Sequence, residues 1–159
     1  MKYVRMHQVD AEPMTRGDYN KFRGWKIPEN ENPAEEGYIV HYPDGYVSWC
    51  PKAQFEAAGR PCDGMTFGMA IEAMKRGAKV ARKGWNGKGM WLCVPFCDGL
   101  KEVHATGIWG KPNAEYALQN GGTVKVMPYV TMKTADGSIV MGWLASQTDM
   151  LAEDWAVVE

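Results

Sequence analysis

The sequence predicts an α+β protein in which one helix packs on a small antiparallel sheet, preceded by a smaller α+β module. Two observations predict this class: a single apolar helical stripe near the middle of the chain, and short strand patterns separated by turn residues. A cluster of chain-bending residues at 59–64 predicts the boundary between two domains, 1–62 and 63–159.

Composition excludes several classes of protein. Of the 159 residues, 45% are hydrophobic and 23% are charged, which is typical of a folded chain. No apolar run approaches the roughly 18 residues of a membrane span. The formal net charge of −1 argues against binding to duplex nucleic acid, which requires a basic face.

The first module begins with an extended stretch at residues 3–11, stopped by Pro13. Thr15 and Asp18 have the spacing of a capped helix start, so we expect a short helix through Phe22. Aromatic-rich runs on either side of residues 43–45 then predict a β-hairpin, and a short helix follows Pro51.

The second module begins with the predicted helix at 66–77, which Thr66 caps. Its apolar residues recur at helical spacing and form one stripe. Strands are predicted at 79–82, 89–96, 123–133, 138–143 and 155–158. The insert at 98–122 shows no strand pattern of its own, and a short helix is predicted at 113–119.

The sequence shows no constellation typical of an enzyme. It lacks a nucleophile elbow, a phosphate-binding loop and a paired-histidine metal motif. The four cysteines lack zinc-ligand spacing and are interpreted as reduced packing thiols. Asp149, Glu153 and Asp154 cluster near the C-terminus and resemble an acid/base pair, but residues 146–149 fit a helix capping box better. We therefore expect no catalytic site, no metal and no cofactor.

Two segments are candidates for binding. The first is the turn at 80–88, which places Arg82, Lys83 and Lys88 around Trp85 among several glycines. Cations, an indole and accessible backbone amides suit a nucleotide, although such glycine- and lysine-rich turns are also common as solvated hairpin tips. The second is 142–155, where Trp143 precedes a short capped helix; Trp155, Leu144 and Leu151 are predicted core residues.

Four motifs resemble the phage Thoeris anti-defence 2 family over residues 65–159. They are Met65-Thr-Phe-Gly68, Val80-Ala-Arg-Lys-Gly-Trp-Asn-Gly-Lys-Gly-Met90, Met132-Lys-Thr-Ala-Asp-Gly-Ser-Ile-Val140 and Gly142-Trp-Leu-Ala-Ser-Gln-Thr-Asp-Met-Leu-Ala-Glu-Asp-Trp155. Residues 1–62 resemble a small phage module of unknown role. The N-terminal module and the insert at 98–122 depart from the family's short members.

The resemblance implies a sponge rather than an enzyme. Family members form homotetramers in the cytoplasm of the infected bacterial host, where they sequester cyclic ADP-ribose isomers, such as the 1''-3' glycocyclic form, without degrading them. Some larger members also hold cyclic oligonucleotide signals of the CBASS type at a separate site. The implied ligand-binding residues are Arg82, Lys83, Trp85, Asn86, Lys88, Trp143, Ser146, Gln147, Thr148 and Asp149.

The required affinity favours a shared cleft. Nanomolar binding corresponds to about −12 kcal/mol, and stacking contributes about 1–3 kcal/mol per base. Two tryptophans with several charge-assisted hydrogen bonds of about 1.5–3 kcal/mol each reach that range, so we expect both segments to converge between protomers. The alternatives are a nucleotide phosphodiesterase or hydrolase using Asp149 or Asp154, and a structural phage protein whose aromatic surfaces are assembly contacts.

Overall fold

A computed structural model describes residues 1, 6, 8–85 and 88–159 of the chain. It divides into two compact units, Met1–Pro61 and Cys62–Glu159. Each unit has its own antiparallel sheet and its own buried residues. The secondary structure is α+β, as the sequence predicts.

The first unit is a three-stranded sheet with two helices. The strand order is β1-β2-β3, and all pairings are antiparallel. The predicted hairpin is confirmed. The predicted extended stretch at 3–11 lies partly outside the described residues. The prediction that Pro13 stops it is wrong, because β1 includes Pro13. The elements are β1 (Asp10–Pro13), α1 (Arg16–Phe22), β2 (Gly37–His41), β3 (Val47–Pro51) and α2 (Lys52–Ala58).

Helix α1 begins as its sequence predicts. The Thr15 hydroxyl accepts a hydrogen bond from the Asp18 backbone N–H at 3.2 Å, which satisfies one of the free donors of the first turn. Tyr19 lies on the buried face of α1, and Ile39 and Val40 of β2 are also buried. These apolar side chains are the main core of the unit.

The second unit contains a five-stranded sheet with the strand order β10-β4-β5-β8-β9 and a separate pair, β6-β7. Its elements are α3 (Phe67–Lys75), β4 (Lys79–Arg82), β5 (Trp91–Cys93), β6 (Lys101–His104), α4 (Lys111–Gln119), β7 (Thr123–Val126), β8 (Thr131–Lys133), β9 (Ile139–Met141), α5 (Gln147–Met150) and β10 (Trp155–Val158).

The core of the second unit lies between α3 and this sheet. Met74 of α3, Val80 of β4, Leu92 of β5 and Trp155 of β10 are fully buried in one cluster. The cap predicted at Thr66 is present, because its hydroxyl accepts a hydrogen bond from the Met69 N–H. The helix stripe read from the sequence is therefore the face that packs on the sheet.

The prediction of one strand at 123–133 is wrong. Residues 123–126 pair with β6 inside the insert, whereas 131–133 pair with β5 and β9 of the main sheet. Pro128 lies between them and has no N–H to donate to a ladder. The insert thus has a strand pattern after all, and its helix α4 includes the predicted 113–119.

None of the helices in the described part of the chain is long and apolar enough to cross a membrane.

Candidate functional site

The first candidate segment continues directly from β4. Val80 anchors this strand in the core, and after Arg82 the chain forms a tight 3₁₀ turn over Lys83–Trp85. Lys88 is exposed. Asn86, which the sequence also assigns to the site, lies outside the described residues.

Arg82 is held by two carboxylates. Its Nε donates to Asp154 Oδ1 at 2.8 Å, and a terminal nitrogen donates to Asp149 Oδ1 at 2.9 Å. Only 16% of its side chain is exposed. A guanidinium with this geometry is largely neutralised by its neighbours. Arg82 therefore links the turn to the residues before β10 and to α5.

The same hydrogen bonds keep both carboxylates ionised. The Arg82 guanidinium holds the pKa of Asp154 below its usual value, since its hydrogen bond outweighs the effect of burial. Burial alone would raise the pKa of Asp149, but hydrogen bonds from Ser146 and Arg82 outweigh it and lower the pKa. A carboxylic acid that acts as a general acid needs a pKa raised towards the working pH, whereas both of these pKa values are lowered.

Lys83 is the more accessible cation of the turn. Its ammonium lies 3.3 Å from the Asp63 carboxylate, and both side chains are mostly exposed. Exposed pairs of this kind contribute little, about 0–1 kcal/mol. The Lys83 side chain can consequently exchange this partner for another anion at small cost.

Four aromatic rings meet beside the turn. The ring centroids of Trp85 and Trp143 are 6.2 Å apart at 69°, and Trp85 lies 5.4 Å from Trp155 at 76°. Phe67 contacts both Trp143 and Trp155. Trp155 is fully buried, whereas Trp85 and Trp143 are only partly buried. The two candidate segments are thus brought together, with two indoles at the surface of the core.

The predicted capping box is present at the start of α5. The Ser146 hydroxyl accepts a hydrogen bond from the Asp149 N–H, and the Asp149 carboxylate accepts one from the Ser146 N–H. The carboxylate therefore occupies the end of this short helix where an anionic ligand would bind. Gln147 and Thr148 are exposed beside it.

The prediction that Leu144 and Leu151 are core residues is wrong. Leu144 is 88% exposed and Leu151 is 81% exposed. Apolar character indicates that a side chain favours burial, but it does not identify the surface that covers it.

β9 is also an edge strand of the described sheet, and all three of its residues are exposed. We call residues 139–151 the exposed apolar segment; its exposed large hydrophobic residues are Ile139, Val140, Met141, Leu144, Met150 and Leu151.

The sequence did not predict the contacts of Asp154, which it suggested only as a catalytic acid. Its carboxylate contacts Arg82 and Gly84, about 70 positions earlier in the chain. The antiparallel register of β10 and β4 aligns Trp155 with Arg82, and this register brings Asp154 beside the turn. No local motif predicts such a pairing.

Comparison with known proteins places the second half of the sequence in a family. The sequence profile of the Thoeris anti-defense 2-like domain matches residues 65–158. The chain belongs to this family. The sequence is also 40% identical over 94 residues to Thoeris anti-defense 2 of Bacillus phage SP01, a match that covers 59% of this chain and 94% of that protein.

The Thoeris anti-defense 2-like domain contains all the candidate residues named above, and the resemblance read from the sequence is confirmed. Residues 1–64 lie outside the match, whereas residues 98–122 lie inside it, so the expectation that this insert departs from the family's short members is wrong. The family indicates a phage protein that counters bacterial defence.

Proposed function

We propose that this protein is a phage sponge that binds cyclic nucleotide immune signals in the cytoplasm of the infected bacterial host and holds them unaltered. The observation that carries the proposal is the pairing of two partly buried indoles, Trp85 and Trp143, within the domain that matches the anti-defense family. The proposed ligand class is a cyclic ADP-ribose isomer such as the 1''-3' glycocyclic form.

The paired indoles suit the adenine base of such a ligand. Each is anchored on one side by the core and retains an exposed part, so little side-chain entropy is lost on binding. Stacking of that one base contributes roughly 1–3 kcal/mol. The exposed ammonium groups of Lys83 and Lys88 are the proposed partners of the pyrophosphate.

The roles of the remaining site residues differ. Gln147 and Thr148 are exposed and offer amide and hydroxyl groups to the ligand, whereas the Ser146 hydroxyl is already bonded to Asp149 and helps to place α5. Arg82 and Asp149 are paired with each other, so we assign them to holding the two segments together as well as to lining the site. Asn86 remains in the proposed site on the strength of the sequence resemblance.

Sequestration without turnover is supported by the state of the carboxylates. Asp149 and Asp154, the groups that a hydrolase would use here, are both paired with Arg82, and their pKa values are lowered. Neither arrangement favours a proton donor at neutral pH. In the described residues, no group of acidic, histidine or cysteine side chains is arranged to hold a metal ion.

A homotetramer is part of the proposal. The exposed apolar segment includes the sheet-edge strand β9 and also contains Trp143. Exposed apolar edge strands are ready templates for pairing with another chain. A neighbouring copy that covers this segment would enclose the indoles and supply the further contacts that nanomolar affinity requires, about −12 kcal/mol.

Calorimetric titration with a panel of cyclic ADP-ribose isomers, cyclic dinucleotides and cyclic trinucleotides tests the proposal. The ligand is then recovered by heat denaturation and identified by chromatography. We expect nanomolar binding of at least one cyclic ADP-ribose isomer and its recovery intact. A hydrolysed product would instead identify a phosphodiesterase or hydrolase. Absence of binding across the panel would favour a structural phage protein.

A further inference from the structure

Asp154 contacts three consecutive residues of the turn that leads to Trp85. Its carboxylate accepts hydrogen bonds from Arg82 Nε at 2.8 Å and from the Gly84 backbone N–H at 3.0 Å. Its backbone carbonyl accepts a third from the Lys83 N–H at 3.1 Å. One residue thereby fixes the path of the chain from the end of β4 to the indole.

The contacts of Arg82 extend this network to the second indole segment. Its guanidinium also donates to Asp149 Oδ1 at 2.9 Å, and the Asp149 backbone carbonyl accepts a hydrogen bond from Trp155 Nε1 at 3.0 Å. Asp149 lies in α5, which follows Trp143. The Asp154–Arg82–Asp149 network therefore connects the segments that contribute Trp85 and Trp143.

The charge of Asp154 is the wrong sign for direct contact with a phosphorylated ligand. A carboxylate near a pyrophosphate raises the free energy of the complex. Its contribution to binding must therefore come through the turn rather than through the ligand.

We propose that Asp154 is a positioning residue of the ligand site, whose hydrogen bonds to Arg82 and Gly84 hold Trp85 against Trp143. This inference rests on the proposed function. It adds that tight binding requires a residue that is negatively charged, as the ligand is. The lowered pKa of Asp154 is consistent with a carboxylate that stays ionised in this network.

The substitution Asp154→Asn distinguishes a positioning role from a purely electrostatic one, because the two roles predict opposite changes in ligand affinity. Removal of a negative charge next to an anion site would strengthen binding if electrostatics alone mattered. Loss of the hydrogen bonds from the turn to Asp154 would instead weaken binding. Asp63→Asn is the matched control, since Asp63 is an exposed carboxylate that pairs with the Lys83 side chain of the same turn rather than with its backbone.

A second variant perturbs the contact between Asp154 and the turn without changing any charge. A Cβ atom on Gly84 would lie 3.2 Å from Asp154 Oδ2, so Gly84→Ala displaces the carboxylate by a few tenths of an ångström. The backbone of Gly84 is not in the left-handed region. Gly64→Ala is its control, because a Cβ atom there meets nothing within 4 Å.

The experiment titrates each purified full-length variant with the 1''-3' glycocyclic ADP-ribose isomer, and with any other cyclic nucleotide that the wild type binds. Thermal denaturation and near-ultraviolet circular dichroism of the indoles are measured in parallel. We expect Asp154→Asn to weaken binding about tenfold or more, as for loss of a hydrogen bond to a charged group. We expect a smaller loss for Gly84→Ala, and unchanged or tighter binding for Asp63→Asn and Gly64→Ala.

Folded Asp154→Asn protein that binds as tightly as the wild type, or more tightly, overturns the proposal. A lower melting temperature with unchanged affinity would likewise mean that Asp154 is only structural. Should Asp154→Asn fail to fold, Gly84→Ala decides alone, and wild-type affinity in that variant overturns the inference. A wild type that binds nothing in the panel refutes the proposed function itself, a result distinct from either outcome.

Discussion

The indole rings of Trp85 and Trp143 meet edge to face, with centroids 6.2 Å apart and planes inclined at 69°. Trp85 follows β4 and Trp143 follows β9, so the contact joins the turn of one strand to the end of another. Both rings also contact the fully buried Trp155. Because Trp155 is held in the core, it fixes the positions of the two more exposed rings.

Trp85→Ala is expected to weaken binding of a cyclic ADP-ribose isomer by about 5- to 150-fold. This range corresponds to the loss of one stacking contact of about 1–3 kcal/mol. Trp143→Ala should have a similar effect, and the double variant should be non-additive because the rings touch. Calorimetric titration measures each affinity, and thermal denaturation confirms that each variant is folded.

Trp109→Ala is the matched control for these substitutions. Trp109 is 72% exposed and lies in the insert, with no ring contact to the Trp85–Trp143 pair among the described residues. We expect its removal to leave the affinity unchanged. Equal losses for Trp109→Ala and Trp85→Ala would show that the paired indoles are not the binding site.

A charge in the exposed apolar segment is expected to dissociate the proposed homotetramer. Leu144→Glu and Leu151→Glu each place a carboxylate at a position that is more than 80% exposed in the single chain. Burial of an unpaired charge in an interface is strongly unfavourable. Sedimentation velocity should therefore shift from a tetramer towards the 17.8 kDa monomer, with weakened ligand binding.

Leu118→Glu tests whether any exposed leucine would give the same result. Leu118 is 64% exposed but lies on α4 in the insert. We expect this variant to sediment as the wild type does. A wild-type protein that is itself monomeric at micromolar concentration would contradict the tetramer.

The parts of the fold that the sequence predicts are those with local causes. The α3 stripe, the Thr66 cap and the capping box at Ser146 each depend on residues within one or two helical turns. The division of residues 123–133 between two sheets depends on strand partners far along the chain, and Pro128 was its one local sign.

The candidate site was predictable to a similar extent. The two tryptophans and their flanking polar residues are visible as motifs, whereas the network that joins them is not. The contact of Asp154 with Arg82 follows from the register of β10 and β4, which a single sequence does not specify. The exposure of Leu144 depends on its place in the folded chain, which its apolar character does not specify.

Loss of the Thr66 cap is expected to destabilise the second unit. Its hydroxyl accepts a hydrogen bond from the Met69 N–H, and removal of an N-cap hydroxyl costs about 0.5–2 kcal/mol. Thr66→Ala should lower the urea midpoint measured by circular dichroism. Thr66→Ser keeps the hydroxyl and should retain most of the stability. Equal losses in both variants would assign the effect to the lost methyl group rather than to the cap.

The ion pair of Arg16 with Glu31 is expected to make the first unit less stable as the pH falls. Hydrogen bonds from Arg16 and Asn20 lower the pKa of Glu31 from 4.5 to about 2. A folded-state pKa below the unfolded value means that the stabilisation is complete above pH 4.5 and is lost as pH falls towards 2. Glu31→Gln should therefore melt below the wild type at neutral pH, and the difference should shrink across that interval. Thermal melts at a series of pH values measure it, with Glu29→Gln, an exposed neighbour, as the control. A difference between Glu31→Gln and the wild type that stays constant down to pH 2 would contradict the linkage.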